Sequence, residues 1–203
     1  MELSRLEICL IWGFIWTKGK GGYGMVYVFL ASGFEEIEAL SVVDILRRAD
    51  VDVQTVGVGN RQITGSHGIP VLADADTSSF LPGLAEGVVL PGGMPGATNL
   101  ESDSAVIECV RHCAAKGGLV AAICAAPFIL GHMGLLEGRK ATCYPGFESE
   151  LIGAQIEKGP VCVDGNTITG NGPGAAVAFA LALVRILKGA KTADTIKRGM
   201  QCV

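Results

Sequence analysis

The sequence predicts an α/β fold, a mostly parallel sheet with helices packed on both of its faces. Three observations carry this. From Met25 onward, strand-like and helix-like segments alternate. The strands are short apolar runs without polar alternation, as in sheets buried on both sides. No linker, repeat or low-complexity tract interrupts the alternation, and 203 residues, half of them hydrophobic, suit one domain with an ample core.

In order, "MVYVFL" supplies a first strand over Val26–Leu30, and Glu35–Ala49 has the apolar spacing of a helix. Val51–Val58 is a second strand and Ile69–Leu72 a short one. Gly87–Leu90 runs into the glycine-rich turn "PGGMPG". Ser104–Lys116 is a helix and Leu119–Ile123 a strand. A helix over Ala125–Gly134 follows, with Pro127 in its first turn, where a missing N–H costs nothing. Val161–Val163 and Thr167–Thr169 flank "DGN", a hairpin signal. Pro173–Leu187 and Ala190–Met200 complete the helices.

Residues 1–24 stand apart. They hold both tryptophans, and a signal peptide is a poor match because Glu2 and Glu7 oppose Arg5 and no small-residue cleavage site follows. Lys20-Gly21-Gly22 can be encoded by a purine-rich ribosome-binding sequence just ahead of the Met25 codon. The expectation is an extraneous extension over 1–24, translation starting at Met25, and a domain over 25–203. A genuine extension covering an apolar surface is the alternative.

The formal charge is −4, and becomes −5 without the extension, which carries three basic and two acidic residues. With no Lys/Arg cluster, nucleic acid is not an expected partner. No apolar run approaches the roughly 20 residues of a membrane-spanning helix. Seven cysteines form neither a disulfide framework nor a CxxC pattern, so reduced thiols in a cytoplasmic protein are expected.

Ligands of such sheets bind beyond the carboxyl ends of the strands. Three features gather there: "ASGFEEIE", "PGGMPG" and "ICAAP". Cys124 falls at a strand-to-helix corner, where amides and the helix dipole favour a thiolate and lower the pKa; a small buried hydrophobe is the bland alternative. Ser32 and Glu35 read as a capping box, Glu36 as solvated, and Glu38, one turn beyond Phe34, as a carboxyl able to point toward Cys124 or as a plain surface residue. In "PGGMPG", Gly92 and Gly93 allow close backbone approach, and the amides of Gly93 and Ala125 could form an oxyanion hole; a tight turn is the alternative. Cys109, His112 and Cys113 lie within one helical turn, but Val106, Cys109, Val110 and Cys113 also trace an apolar face, so no metal site is expected. Of the three histidines only His67, in "GSHG", sits in a loop that could reach the site. A Cys-His-Glu hydrolase is disfavoured.

Taken together, "VFLASGFEEIEAL", "VVLPGGMPGATNL", "AAICAAPFIL", "KATCYPGFE" and "GNGPGAAVAFALALV" resemble the ThiJ/PfpI family over essentially Met25 to the C-terminus, nearest its branch of the Parkinsonism-associated protein deglycase. The resemblance implies a flavodoxin-like three-layer sandwich, akin to class I glutamine amidotransferases, and a homodimer. It implies that Cys124 is a nucleophile and oxidation-sensitive thiol, that Glu38 bonds its sulfur, and that Gly93 and Ala125 supply the amides. Tyr144 stands where many members of the branch carry histidine, and Ala125 where the family's proteases do, so peptidase activity is not expected. His67 replaces a frequent arginine, and Arg48 matches another basic residue of the pocket. The implied activity is cofactor-independent and acts on small dicarbonyls such as methylglyoxal, in the manner of a glyoxalase or deglycase. The alternative is an oxidative-stress sensor or redox-regulated chaperone in which Glu38 stabilises a Cys124 sulfinate.

Overall fold

The structure, a computed structural model, describes residues 24–202. The expectation for residues 1–24 therefore lies, apart from Gly24, outside the described residues.

The chain runs β1 (Met25–Leu30), α1 (Glu36–Arg48), β2 (Val53–Gly57), a hairpin of β3 (Gln62–Thr64) and β4 (Pro70–Leu72), β5 (Ala75–Asp76) and β6 (Ala85–Leu90). It continues through α2 (Gly96–Ser102), α3 (Ser104–Ala115), β7 (Leu119–Ile123), α4 (Pro127–His132), the paired short strands β8 (Lys140–Ala141) and β9 (Gln155–Ile156), β10 (Val161–Asp164), β11 (Thr167–Gly170), α5 (Ala176–Lys188) and α6 (Ala190–Gly199). The expected α/β fold is present. Its main sheet has the order β10-β11-β7-β6-β1-β2-β5 and is parallel except for β10. Asp164 pairs with Thr167 across Gly165-Asn166, so "DGN" closes the antiparallel hairpin as its composition predicts.

Alternation along β1 shows why its strands read as continuously apolar. Tyr27 and Phe29 pack on one face with Val106, Cys109, Val110 and Cys113 of α3. Val26, Val28 and Leu30 pack on the other with Val42 and Leu46 of α1 and Phe179 and Leu183 of α5. Both faces are buried, and every position of β1 is therefore apolar. Cys109 and Cys113 belong to this core, in line with the apolar-face reading.

Strand β4 falls within the expected strand Ile69–Leu72, whereas β3 and helix α2 have no counterpart in the sequence reading. The hairpin β3–β4 has only three residues per strand, four of the six exposed, so its alternation carries little hydrophobic signal. Helix α2 is seven residues long and begins within the glycine-rich turn, whose composition argues for a loop. Its approach depends on glycine: a Cβ on Gly96 would lie 2.5 Å from the Phe34 amide nitrogen.

From β1 the chain passes to α1 on one face, and from β6 to α2 and α3 on the other. The crevice between diverging connections opens at the carboxyl ends of β1, β6 and β7, which are neighbours in the sheet.

Candidate active site

Cys124 follows β7 directly. Its backbone is held on both sides: its N–H donates to the Gly170 carbonyl at 2.9 Å, and its carbonyl accepts from the Tyr144 N–H at 2.8 Å. Its φ is +65°, a left-handed conformation that an L-residue adopts at a cost of about 1–2 kcal/mol. This elbow turns the thiol, only 9% exposed, toward the α1 side of the sheet.

Glu38 meets it there. The first turn of α1 places this side chain under the sheet edge, with no solvent exposure. The Gly92 N–H donates to Oε2 at 2.7 Å. Oε1 has no partner of full hydrogen-bond geometry, and the Cys124 thiol is the neighbour that interacts with the carboxyl more loosely. Gly92 is required by packing. A Cβ there would stand 2.6 Å from the Cys124 Cβ and 2.9 Å from Glu38 Oε2. A Cβ on Gly93, at φ +84°, would likewise stand 2.5 Å from the Glu35 amide nitrogen.

Burial raises the Glu38 carboxyl from 4.5 to about 7, against the pull of the Gly92 amide and the Cys124 thiol; the nearby charge of Glu35 adds to the rise. Burial, with the charge and hydrogen bond of Glu38, pushes the thiol up to about 12 and outweighs the amides of Gly93 and Ala125. This reverses the expected lowering of the Cys124 pKa. Helix α4 is only six residues long, and the sulfur sits beside a carboxylate in a dry setting, which disfavours a second negative charge. From about pH 7 to about 12 the pair thus holds one proton. Chemically it is a thiol with an adjacent buried base.

The other expectations fare unevenly. The Ser32–Glu35 capping box is not formed: α1 begins one residue later, Glu35 is its N-cap without a side-chain cap bond, and Ser32 is exposed. Glu36, expected in solvent, is 4% exposed. It accepts from the His67 amide at 2.8 Å, and its other oxygen lies 2.9 Å from His67 Nδ1. Burial alone would raise Glu36; the His67 ring and the surrounding amides hold it instead at about 2. The loop 65–69 folds over the head of α1, an encounter no local pattern announces. His67 is accordingly engaged by Glu36 and Glu35 rather than by Cys124. Arg48 lies in the last turn of α1, at the opposite end from Glu38, and pairs with Asp44 at 2.7 Å. It is not part of this site. Tyr144 is joined to Cys124 through the backbone, and its half-exposed ring lies over Gly172 at the rim.

An acid and a cysteine from distant elements, brought together at a strained elbow beside two glycine amides, narrow the comparison with known proteins. The profile of the DJ-1/PfpI family matches residues 25–186. The chain belongs to the DJ-1/PfpI family. It is 35% identical to protein dj-1beta of Drosophila melanogaster over 176 residues, which is 85% of this chain and 94% of that one. It is 30% identical over 165 residues to a protein of Pyrococcus abyssi named as a deglycase, covering 80% of this chain and 99% of the relative. Among solved structures, oxidized DJ-1 of Toxoplasma gondii superposes with a TM-score of 0.84 at 35% identity, over 88% of this chain and 98% of the other. These DJ-1 relatives share the flavodoxin-like sandwich that the sequence implied.

Proposed function

We propose that this chain is a cysteine enzyme acting, without a cofactor, on small reactive dicarbonyls, with Cys124 as nucleophile and Glu38 as its base. The observation that carries the reading is the fully buried Glu38 carboxyl, fixed by the Gly92 amide and facing Cys124. A raised pKa near the working pH is what general-base work requires. The name of the Pyrococcus relative points the same way.

For methylglyoxal, the Cys124 sulfur attacks the aldehyde carbon while its proton passes to Glu38. The amides of Gly93 and Ala125 receive the developing oxyanion, to which Glu38 returns the proton, giving a hemithioacetal and restoring the carboxylate. Glu38 removes the proton from the former aldehyde carbon, and reprotonation at the neighbouring carbon gives a thioester of lactate. Water cleaves the thioester, releasing lactate and the thiol, for a net addition of one water. Tyr144 or solvent covers proton transfer at the rim. The same adduct chemistry on a freshly glycated thiol or amine would register as deglycation. Ile37 and Leu40, exposed on one face of α1, and Ile69 and Leu72 of the adjoining hairpin supply an apolar surface for a homodimer. Among the described residues no helix is long and apolar enough to cross a membrane; a cytoplasmic location is part of this proposal.

The test is D-lactate formation from methylglyoxal by wild type, Cys124→Ser and Glu38→Gln. Loss in both variants supports the enzyme. The oxidized state of the Toxoplasma relative favours a second reading, in which Cys124 is a redox sensor. Wild-type protein that is folded but inactive, and that takes up oxygen at Cys124 on peroxide treatment, would replace the first reading with this one.

A further inference from the structure

We infer that Glu35, Glu36 and His67, with the Ser66 hydroxyl, form a binding site for a divalent transition-metal ion of the zinc class at the head of α1. The site is distinct from the Cys124 centre and independent of the reaction proposed for it. Nothing in the sequence spacing announces it, since positions 35, 36 and 67 fit no metal motif.

One donor atom from each of Glu35, Glu36 and His67 can be chosen so that all lie within 4.8 Å of one another. His67 Nδ1 is 2.9 Å from Glu36 Oε2 and 3.7 Å from Glu35 Oε1. Ser66 Oγ lies 3.1 Å from His67 Nδ1 and 3.2 Å from both Glu35 Oε2 and Glu36 Oε2. An ion with ligands at about 2.1 Å spaces neighbouring donors about 3.0–3.4 Å apart, whether octahedral or tetrahedral. The Glu36 and Ser66 donors stand at about those separations from His67 before any ion enters, and Glu35 Oε1 stands somewhat farther off.

Charge and burial separate this group from an ordinary surface ion pair. The two carboxylate side chains are 11% and 5% exposed, whereas the imidazole they face is 67% exposed. A largely hydrated imidazolium pairs weakly and brings a single positive charge to two buried negative ones. A dication at the same point meets both carboxylates, with neutral His67 as ligand on the side that is open in the single chain. Glu36 is also held as metal-ligating carboxylates are, because its second oxygen accepts from the amides of His67, at 2.8 Å, and Ile69, at 3.4 Å. One imidazole, two carboxylates and oxygen donors suit zinc, and cobalt as its spectroscopic substitute. Bound there, the ion pins the 65–69 loop to α1.

The test uses the full, untagged chain, stripped by chelator and titrated with Co²⁺. One ion per chain is expected, with visible ligand-field bands, no thiolate-to-cobalt charge transfer, and displacement by Zn²⁺. His67→Ala, at an exposed position, should weaken binding by at least about tenfold, since even outer-shell partners of a metal ligand are worth that much. Cys124→Ser should bind as wild type does. No saturable binding up to millimolar Co²⁺ overturns the site and leaves an imidazolium pair. So do undiminished binding in His67→Ala and a charge-transfer band that vanishes in Cys124→Ser, the last of which would place the ion on the active-site thiol.

Discussion

Replacing Glu38 by glutamine removes a carboxyl that the fold holds at an energetic cost growing with pH. Its pKa is about 7 in the folded protein against an ordinary 4.5. A raised folded-state pKa contributes stability that is fully present below the unfolded pKa and is lost as pH rises through the folded one. Below about pH 4.5 the carboxyl is neutral in both states and costs nothing. Between 4.5 and 7 the unfolded chain ionises first, and native stability falls. At about 1.4 kcal/mol for each pH unit, the interval amounts to about 3 kcal/mol by pH 8. Glutamine can still accept from the Gly92 N–H and present its amide to Cys124, and it has no such dependence. Cys124 does not blur the result, because its thiol stays protonated in both states over this range. The assay is urea unfolding of wild type and Glu38→Gln at matched pH from 4.5 to 8. The stability difference should move by about 3 kcal/mol in favour of the variant across that range. A difference that stays constant within 1 kcal/mol, or that moves the other way, would show that Glu38 is not held neutral by burial and would remove the basis of its role as a base.

Three further outcomes follow from the same geometry. kcat/KM for methylglyoxal should rise with pH through about 7 as Glu38 ionises and then level off, and a pH–rate profile lacking that rise would separate the rate from this carboxyl. Gly92→Ala should destabilise the protein by about 1–3 kcal/mol in thermal or urea unfolding and abolish turnover, because its Cβ would stand 2.6 Å from that of Cys124. Cys124→Gly should be more stable than Cys124→Ala by about 1 kcal/mol, since only glycine relieves the positive φ; equal stabilities in urea unfolding would count against strain at the elbow.

The fold was legible because its signals are local and redundant. The apolar runs of β1, β6 and β7 are short and lack polar alternation, Pro127 marks the start of α4, and Gly165 marks the hairpin turn. Cys124 stood out for a similar reason, as the last small residue of an apolar run before a proline. Helix α2 and strand β3 were missed, and β4 was read alone rather than as half of a hairpin, because α2 begins within a glycine-rich turn and β3 has only three residues, two of them exposed. The reading of Glu36 failed for another reason: at the head of a helix an acid is ordinarily solvated, and only the loop carrying Ser66 and His67 encloses it. Arg48 was assigned to the pocket by resemblance alone, and helical rise along α1 carries it to the far end.

What the sequence by itself determined is the alternation of strands and helices, the position of the elbow and the identity of its cysteine, since each depends on residues within a few positions of one another. The tertiary structure decided which of three neighbouring glutamates meets the thiol, which two are gathered under His67, and the direction in which the Cys124 pKa moves. Those outcomes rest on the strand order that sets β1, β6 and β7 side by side and on the exclusion of water from Glu38. Desolvation is a property of everything packed around a group, and no stretch of chain near Cys124 contains it.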